Sequence, residues 1–298
     1  MNILLVPDRL YWGAHRTAEA IQREAGKHNI KIKESVSLTD EDFQDVDLAV
    51  AMLNSCERYI HDYAGRNHVP VAVRMSGWTS TFRKYRRWHK NWKLAGVCAI
   101  SPLLGEVVQK QYPEHEVAIL PIGVNLDSFN TPLKHNVNSE DFTVGWVGRE
   151  HDIVKGHWWL DLDNFKEFNI KTKIQDRPEG IEGPVTRTKW PKEMVDYYDS
   201  VDALICTSSV EGGPKVVLEA MACRKPVVST PVGIVPYVLD PEYLVTNPKH
   251  MAMMLRKLRD GEDTRIKNGV MNREAVENDW GWKKRGKEHI EWFKKCLE

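Results

Sequence analysis

Three observations predict an α/β chain of two doubly wound parallel-sheet lobes (Rossmann-like, with a cleft between them). Short apolar runs alternate with helical stretches. The runs fall into two series on either side of a polar, turn-rich segment. Late in the second series, two carboxylates lie eight positions apart across a glycine-rich turn that opens a helix.

In the first series, strands are expected near 2–6, 30–35, 47–53, 69–75, 96–100 and 117–120. These runs are apolar rather than alternating, as strands covered on both faces of a parallel sheet should be. The segment GVNLDSFNTPLKHNVNSED has the polar, turn-forming character of a linker. The second series has strands near 142–147, 170–175, 201–206, 226–229 and 243–246, and WGWKKRGKEHIEWFKKCLE reads as a closing helix. The expected parts are a first lobe at 1–122, a linker at 123–141, a second lobe at 142–276 and a terminal helix at 277–298.

Size and charge narrow the function classes. At 298 residues the chain exceeds the usual size of one core, so about two domains are expected. Lys plus Arg and Asp plus Glu number 42 each, so no whole-chain field directs the protein to nucleic acid or an acidic membrane. Five scattered cysteines without a C-x-x-C pair suggest a reducing, cytoplasmic setting. No apolar run nears the ~20 residues of a bilayer span, so the reading is a cytoplasmic protein, at most peripheral to a membrane.

The sequence EGGPKVVLEAMACRKPVVST holds the most specific signal. Glu211 and Glu219 lie eight positions apart across the turn. Gly212 and Gly213 allow backbone to approach a ligand, and Pro214 has a φ suited to a first helical turn. The helix N-terminus offers N–H groups and positive dipole to a diphosphate. At ~1.5 Å per residue, Glu219 lies roughly 9 Å along the axis from Gly213, so one carboxylate can serve each end of an elongated ligand. Upstream, FTVGWVGREHDIVKG gives a strand, a turn at Gly148, and the cations Arg149 and Lys155.

These segments resemble retaining glycosyltransferases of family four (glycosyl transferases group 1), which have the GT-B fold. The resemblance covers nearly the whole C-terminal half, including WPKEMVDYYDSVDALICTSS and PVVSTPVGIVPYVL. It implies a nucleotide diphosphate sugar as donor, and catalytic roles for Glu211, Arg149 and Lys155. Glu211 would contact donor-sugar hydroxyls, Glu219 the nucleotide ribose, and Arg149 and Lys155 the diphosphate. Gly148, Gly212, Gly213, Lys215 and Val216 would complete the donor side, with no cofactor and no metal. The expected helix end departs from the family: Arg224 stands where glycine is common, which suggests a different ending rather than a left-handed cap.

The first lobe is less informative. The loop PDRLYWGAHR places Gly13 where relatives have a glycine turn, with His15 behind it as a surface residue or a ligand contact. In AVRMSGWTS, Ser76 stands where many relatives carry histidine, with Arg74 nearby; these residues are candidates for the acceptor side. The segment TFRKYRRWHKNWK sets basic residues beside Phe82, Tyr85, Trp88 and Trp92. It reads as an amphipathic structural helix, with contact to DNA or an anionic membrane through residues 82–93 as the alternative. The triplets Asp45-Val46-Asp47 and Asp161-Leu162-Asp163 read as surface acids, the second in a helix. The predicted activity is transfer of a sugar to an acceptor hydroxyl of a glycan, a lipid or a modified DNA base. The rivals are a same-fold UDP-sugar epimerase and a non-catalytic module binding sugar nucleotides or nucleic acid.

Overall fold

The computed structural model describes residues 1–8, 13–53, 57–77, 93–134, 138–174 and 191–298. The basic aromatic segment at 81–92 and Cys56 lie outside them. Two compact units emerge: Met1–Ile122 with Trp282–Glu298, and Gly123–Gly183 with Arg187–Gly281.

The first unit has a parallel sheet with strand order β2-β1-β3-β4-β5-β6. Its strands are β1 (Asn2–Val6), β2 (Asn29–Ile32), β3 (Leu48–Ala51), β4 (Val71–Met75), β5 (Gly96–Ala99) and β6 (Ala118–Ile119). The apolar runs form strands buried on both faces: Leu4, Val6, Ala49, Ala51, Val73, Met75, Val97 and Ala99 share one core with Ile60, Leu104 and Val108. The last three belong to helices α2 (Glu57–Arg66) and α3 (Pro102–Gln111). Ser101 caps α3, its Oγ accepting from the Leu104 N–H at 3.3 Å, with Pro102 in the position where a missing N–H costs nothing. The opposite face carries α1 (Gly13–Arg23) and the terminal helix, numbered α8 (Trp282–Lys295), which pack against each other. Gly286 permits that packing, since a Cβ there would sit 2.4 Å from Glu24 Cβ. The strand expected at 30–35 stops at Ile32, and a 3₁₀ turn at Ser35–Ser37 follows.

The second unit has strand order β10-β9-β7-β8, all parallel, with β7 (Thr143–Gly148), β8 (Asn169–Ile174), β9 (Ala203–Cys206) and β10 (Val227–Ser229). Its helices are α4 (Lys192–Asp199), α5 (Lys215–Ala222), α6 (Pro248–Asp260) and α7 (Glu262–Asp279). The strand expected at 243–246 is only a single bridge, Ser229 to Leu244. A 3₁₀ turn at Pro241–Tyr243 precedes it, and Asn247 caps α6, so too few residues remain for a ladder. Asp161 and Asp163 are exposed acids, but they lie in short 3₁₀ turns rather than in a helix.

The end of α5 also corrects an expectation. Arg224 does adopt the left-handed conformation, with φ +55°. The Lys225 N–H closes the turn on Ala220 O at 2.9 Å, and the Arg224 guanidinium donates to Thr131 O at 2.9 Å and to Asn130. These bonds offset the ~1–2 kcal/mol cost of the conformation for a residue with a Cβ.

Lys225 itself is 3% exposed, with its ammonium 4.0 Å from Asp199. Burial, reinforced by Lys134, pulls its pKa down to about 8. The unfolded chain therefore binds more protons between pH 8 and the ordinary lysine value, and stability at this position rises with pH across that window. Lys225→Met is expected to be more stable than the parent at pH 7, with the advantage shrinking toward pH 10. A variant less stable at pH 7 in thermal melts would contradict this.

Candidate functional site

The carboxyl edges of β7 and β9 bring the second unit's predicted residues together. In open α/β sheets, ligands bind outside this edge. Strand β7 ends on Gly148, where a Cβ would lie 2.8 Å from the Trp146 ring, so glycine is what allows that indole to fold beside the strand end. The Trp146 Nε1–H donates to Thr207 Oγ1 at 3.0 Å, and the Thr207 hydroxyl donates to Lys155 O at 2.8 Å. The Ser209 N–H donates to Val154 O at 2.8 Å. Gly156 follows with φ +67°, and a Cβ there would stand 2.2 Å from Thr207 O. The loop after β7 is thereby stitched to the loop after β9.

This stitching places Lys155 Nζ against Glu211 Oε1 in an ion pair. The same oxygen accepts from Ser208 Oγ at 3.1 Å, and both side chains are largely shielded, 23% and 16% exposed. Arg149 is more open, at 48% exposed, and pairs with Asp152.

Below the pair, Gly212 and Gly213 lead into α5, which begins at Lys215 with Pro214 as its N-cap. Pro214 therefore stands one position before the first helical turn. Lys215 and Val216 are half-buried there. Gly233, with φ +56°, packs against this turn, and a Cβ on it would lie 2.4 Å from Gly212 O.

Glu219 points into the unit from α5 at 7% exposure, and its Oε2 accepts from Tyr198 Oη at 2.9 Å. Burial first, and then the Glu219 charge, push the Tyr198 hydroxyl pKa well above its ordinary range, so it remains a donor.

Sequence reading missed the supporting residues Trp146, Thr207, Ser208, Tyr198 and Gly156. Only the T-S-S triplet after β9 and the glycine ending IVKG hinted at polar stitching there.

Gly156→Ala and Gly233→Ala are each expected to destabilise the second unit. Both place a Cβ inside van der Waals contact with a backbone carbonyl and force a left-handed residue, for which losses of about 1–3 kcal/mol are typical. Denaturant titration reads the loss, and a change below 0.5 kcal/mol, as for an ordinary surface substitution, would contradict the stitching.

The remaining candidates sit in the first unit. Gly13 opens α1 with open space around its Cβ position, and the Thr17 hydroxyl donates to its carbonyl at 2.9 Å. His15 is buried rather than on the surface, with Nδ1 3.6 Å from Glu19. The residue falls on the face of α1 turned toward the sheet, beside Thr17, Ala18 and Ile21. Arg74 lies in β4 opposite Cys98, fully buried, and desolvation pulls its pKa down to about 10. Ser76 follows β4 at its carboxyl edge, half-buried. Among the described residues, no cluster of His, Cys, Asp and Glu could hold a metal, and no helix is long and apolar enough to cross a membrane.

Residues 166–260 match the family model described as glycosyl transferases group 1. The chain is 28% identical over 176 residues to the putative teichuronic acid biosynthesis glycosyltransferase TuaC of Bacillus subtilis. That alignment covers 51% of this chain and 43% of TuaC, so it spans less than half of that relative. Among solved structures, HepE from Anabaena in complex with UDP superposes with a TM-score of 0.73 at 12% identity, covering 99% of this chain and 100% of that one. Sucrose-phosphate synthase from Thermosynechococcus elongatus gives 0.72 at 13% identity, covering 100% and 99%. At such identities the superpositions speak to the fold, two Rossmann-like lobes of the GT-B type.

Proposed function

We propose, from the match of residues 166–260 to glycosyl transferases group 1 and from the GT-B fold, that the chain is a retaining glycosyltransferase. It moves a sugar from a nucleotide diphosphate sugar to an acceptor hydroxyl. The observation that carries the reading is the shielded Lys155–Glu211 pair at the turn leading into α5. A diphosphate arriving at that turn draws Lys155 to its own charge. Glu211 is then released to accept hydrogen bonds from sugar hydroxyls, while Ser208 keeps it oriented. Arg149, half exposed and paired with the neighbouring Asp152, has room to swing onto the same diphosphate as a two-pronged donor.

In the transfer step, the acceptor oxygen forms the new bond to the anomeric carbon on the face that the diphosphate leaves. The carbon–oxygen bond to phosphate breaks, and the acceptor proton passes to a phosphate oxygen. Cations fixed beside the leaving group stabilise the charge it develops. Glu219 holds the ribose, its carboxylate oriented by the Tyr198 hydroxyl. HepE has been solved with UDP and with UDP-glucose, which makes a uridine donor the first to test here.

Retention is tested by proton NMR of the product of an α-configured donor. An α product supports the reading, and a β product overturns it. The ribose role predicts that Glu219→Ala weakens UDP binding by about 1.5–3 kcal/mol in calorimetry, the value of a charge-assisted bond. Tyr198→Phe, which leaves the carboxylate in place, should weaken binding far less. Equal losses in the two variants would indicate that Glu219 is only a packing partner of the tyrosine.

A further inference from the structure

Along one flank of α8 runs a groove of about 900 Å³, lined among the described residues by the first unit alone. Helix residues from Lys283 to Cys296 line it, roughly 20 Å of helix. The facing wall is Ala95, Gly96, Ala118 and Leu120. Ala95, Gly96 and Ala118 keep most of that wall low and the groove open. Gly96 even lets Cys296 and Trp292 lie against the strand, since a Cβ there would be 2.5 Å from Cys296 Sγ and 3.3 Å from the indole. The floor there is apolar, with Trp292 and Cys296 lining it.

The charge along the groove is uneven. Glu288 is paired with Arg285 at 2.7 Å and Glu291 with Lys294 at 2.6 Å, so both carboxylates are already answered. Lys283 and Lys287, one helical turn apart, have no ion pair among the described residues. The end of the groove near the start of α8 thus presents uncompensated ammonium groups above an apolar trough. The other end mixes Lys295 with Glu114 and Glu116, which opposes a polyanion lying along the whole length.

We propose that this groove binds a lipid anion, an amphiphile with one phosphate or carboxylate head held by Lys283 and Lys287 and its alkyl chain laid along Trp292. The volume suits such a ligand, since small-molecule sites span about 300–1,000 Å³. The groove stands apart from the donor chemistry, because no described residue of the second unit lines it.

The test is calorimetry of the whole chain with dodecyl phosphate below its micelle concentration, beside a neutral dodecyl glycoside and inorganic phosphate. Dodecyl phosphate should bind, with the glycoside and inorganic phosphate each at least tenfold weaker. Lys283→Gln combined with Lys287→Gln should weaken it at least tenfold, and Ala118→Phe, which fills the trough, should weaken it while leaving the thermal melt cooperative. Cys296, on the floor, should lose its reaction with a maleimide, read by peptide mass, as the groove fills. Sedimentation with phosphatidylglycerol or phosphatidylcholine vesicles then separates the sources. Binding to the former alone points to a bilayer lipid, and binding to neither, with dodecyl phosphate still bound, points to a free one. Absence of dodecyl phosphate binding by the folded parent, equal affinity for the neutral glycoside, or an unchanged double lysine variant would overturn the proposal.

Discussion

Glu211→Ala is expected to lower the transfer rate by about 100- to 1,000-fold, the scale seen when a preorganised polar group at the reacting centre is deleted, while the affinity for free UDP stays within a few-fold. The asymmetry follows from where the carboxylate sits. Its Oε1 is held by Ser208 and Lys155 at the mouth of the glycine turn, so under the proposed function it would address the sugar end of a ligand whose diphosphate lies over α5. Removal also frees Lys155, which then meets the diphosphate without first breaking an ion pair. UDP binding by the alanine variant should therefore equal or slightly exceed that of the parent. Steady-state rates together with calorimetry check both halves. A variant that loses UDP affinity in step with rate would move Glu211 from the sugar to the nucleotide.

Lys155→Ala is expected to cost a similar 100- to 1,000-fold, in kcat more than in KM, because its ammonium matters most as the leaving diphosphate gains charge. It should weaken UDP as well, the opposite of the Glu211 result. The deletion leaves a shielded carboxylate without its counter-ion beside an incoming anion. Lys155→Ala with Glu211→Ala should therefore bind UDP better than Lys155→Ala alone. This non-additivity is the signature of two residues that share one contact. Strictly additive losses across the four proteins would show that the ion pair is incidental to donor binding.

The residues that made the fold and the donor side legible were those whose chemistry is local. Continuous apolar runs such as LLV and ALIC, short and bounded by turn residues, fit strands covered on both faces, and their order pointed to two sheets. Glu211 and the glycines between β9 and α5 could be named because turn chemistry and helix polarity act over a few residues, and Lys155 because its segment resembles that of group 1 glycosyltransferases. What escaped the sequence depends on contacts between distant segments. Trp146 and Thr207 are 61 positions apart, yet their hydrogen bond fixes the loop that carries Lys155. Arg224 looked unable to take a left-handed cap until Thr131, 93 positions away, supplied the acceptor that holds it there. His15 looked exposed because a helical face cannot be assigned before the helix is docked on its sheet. The segment at 243–246 has strand composition, but Pro241 and the Asn247 cap leave it no partner length.

The central claim is that the site on the second unit serves to transfer a sugar rather than to isomerise or merely hold one. The most direct measurement is the ratio of nucleotide diphosphate released to acceptor glycosylated, followed by mass spectrometry over a panel of UDP-sugars and acceptors. The account predicts one diphosphate for each glycosylated acceptor, with both signals lost together in Glu211→Ala. Isomerised nucleotide sugar formed without an acceptor, or tight nucleotide binding with neither product, would contradict it.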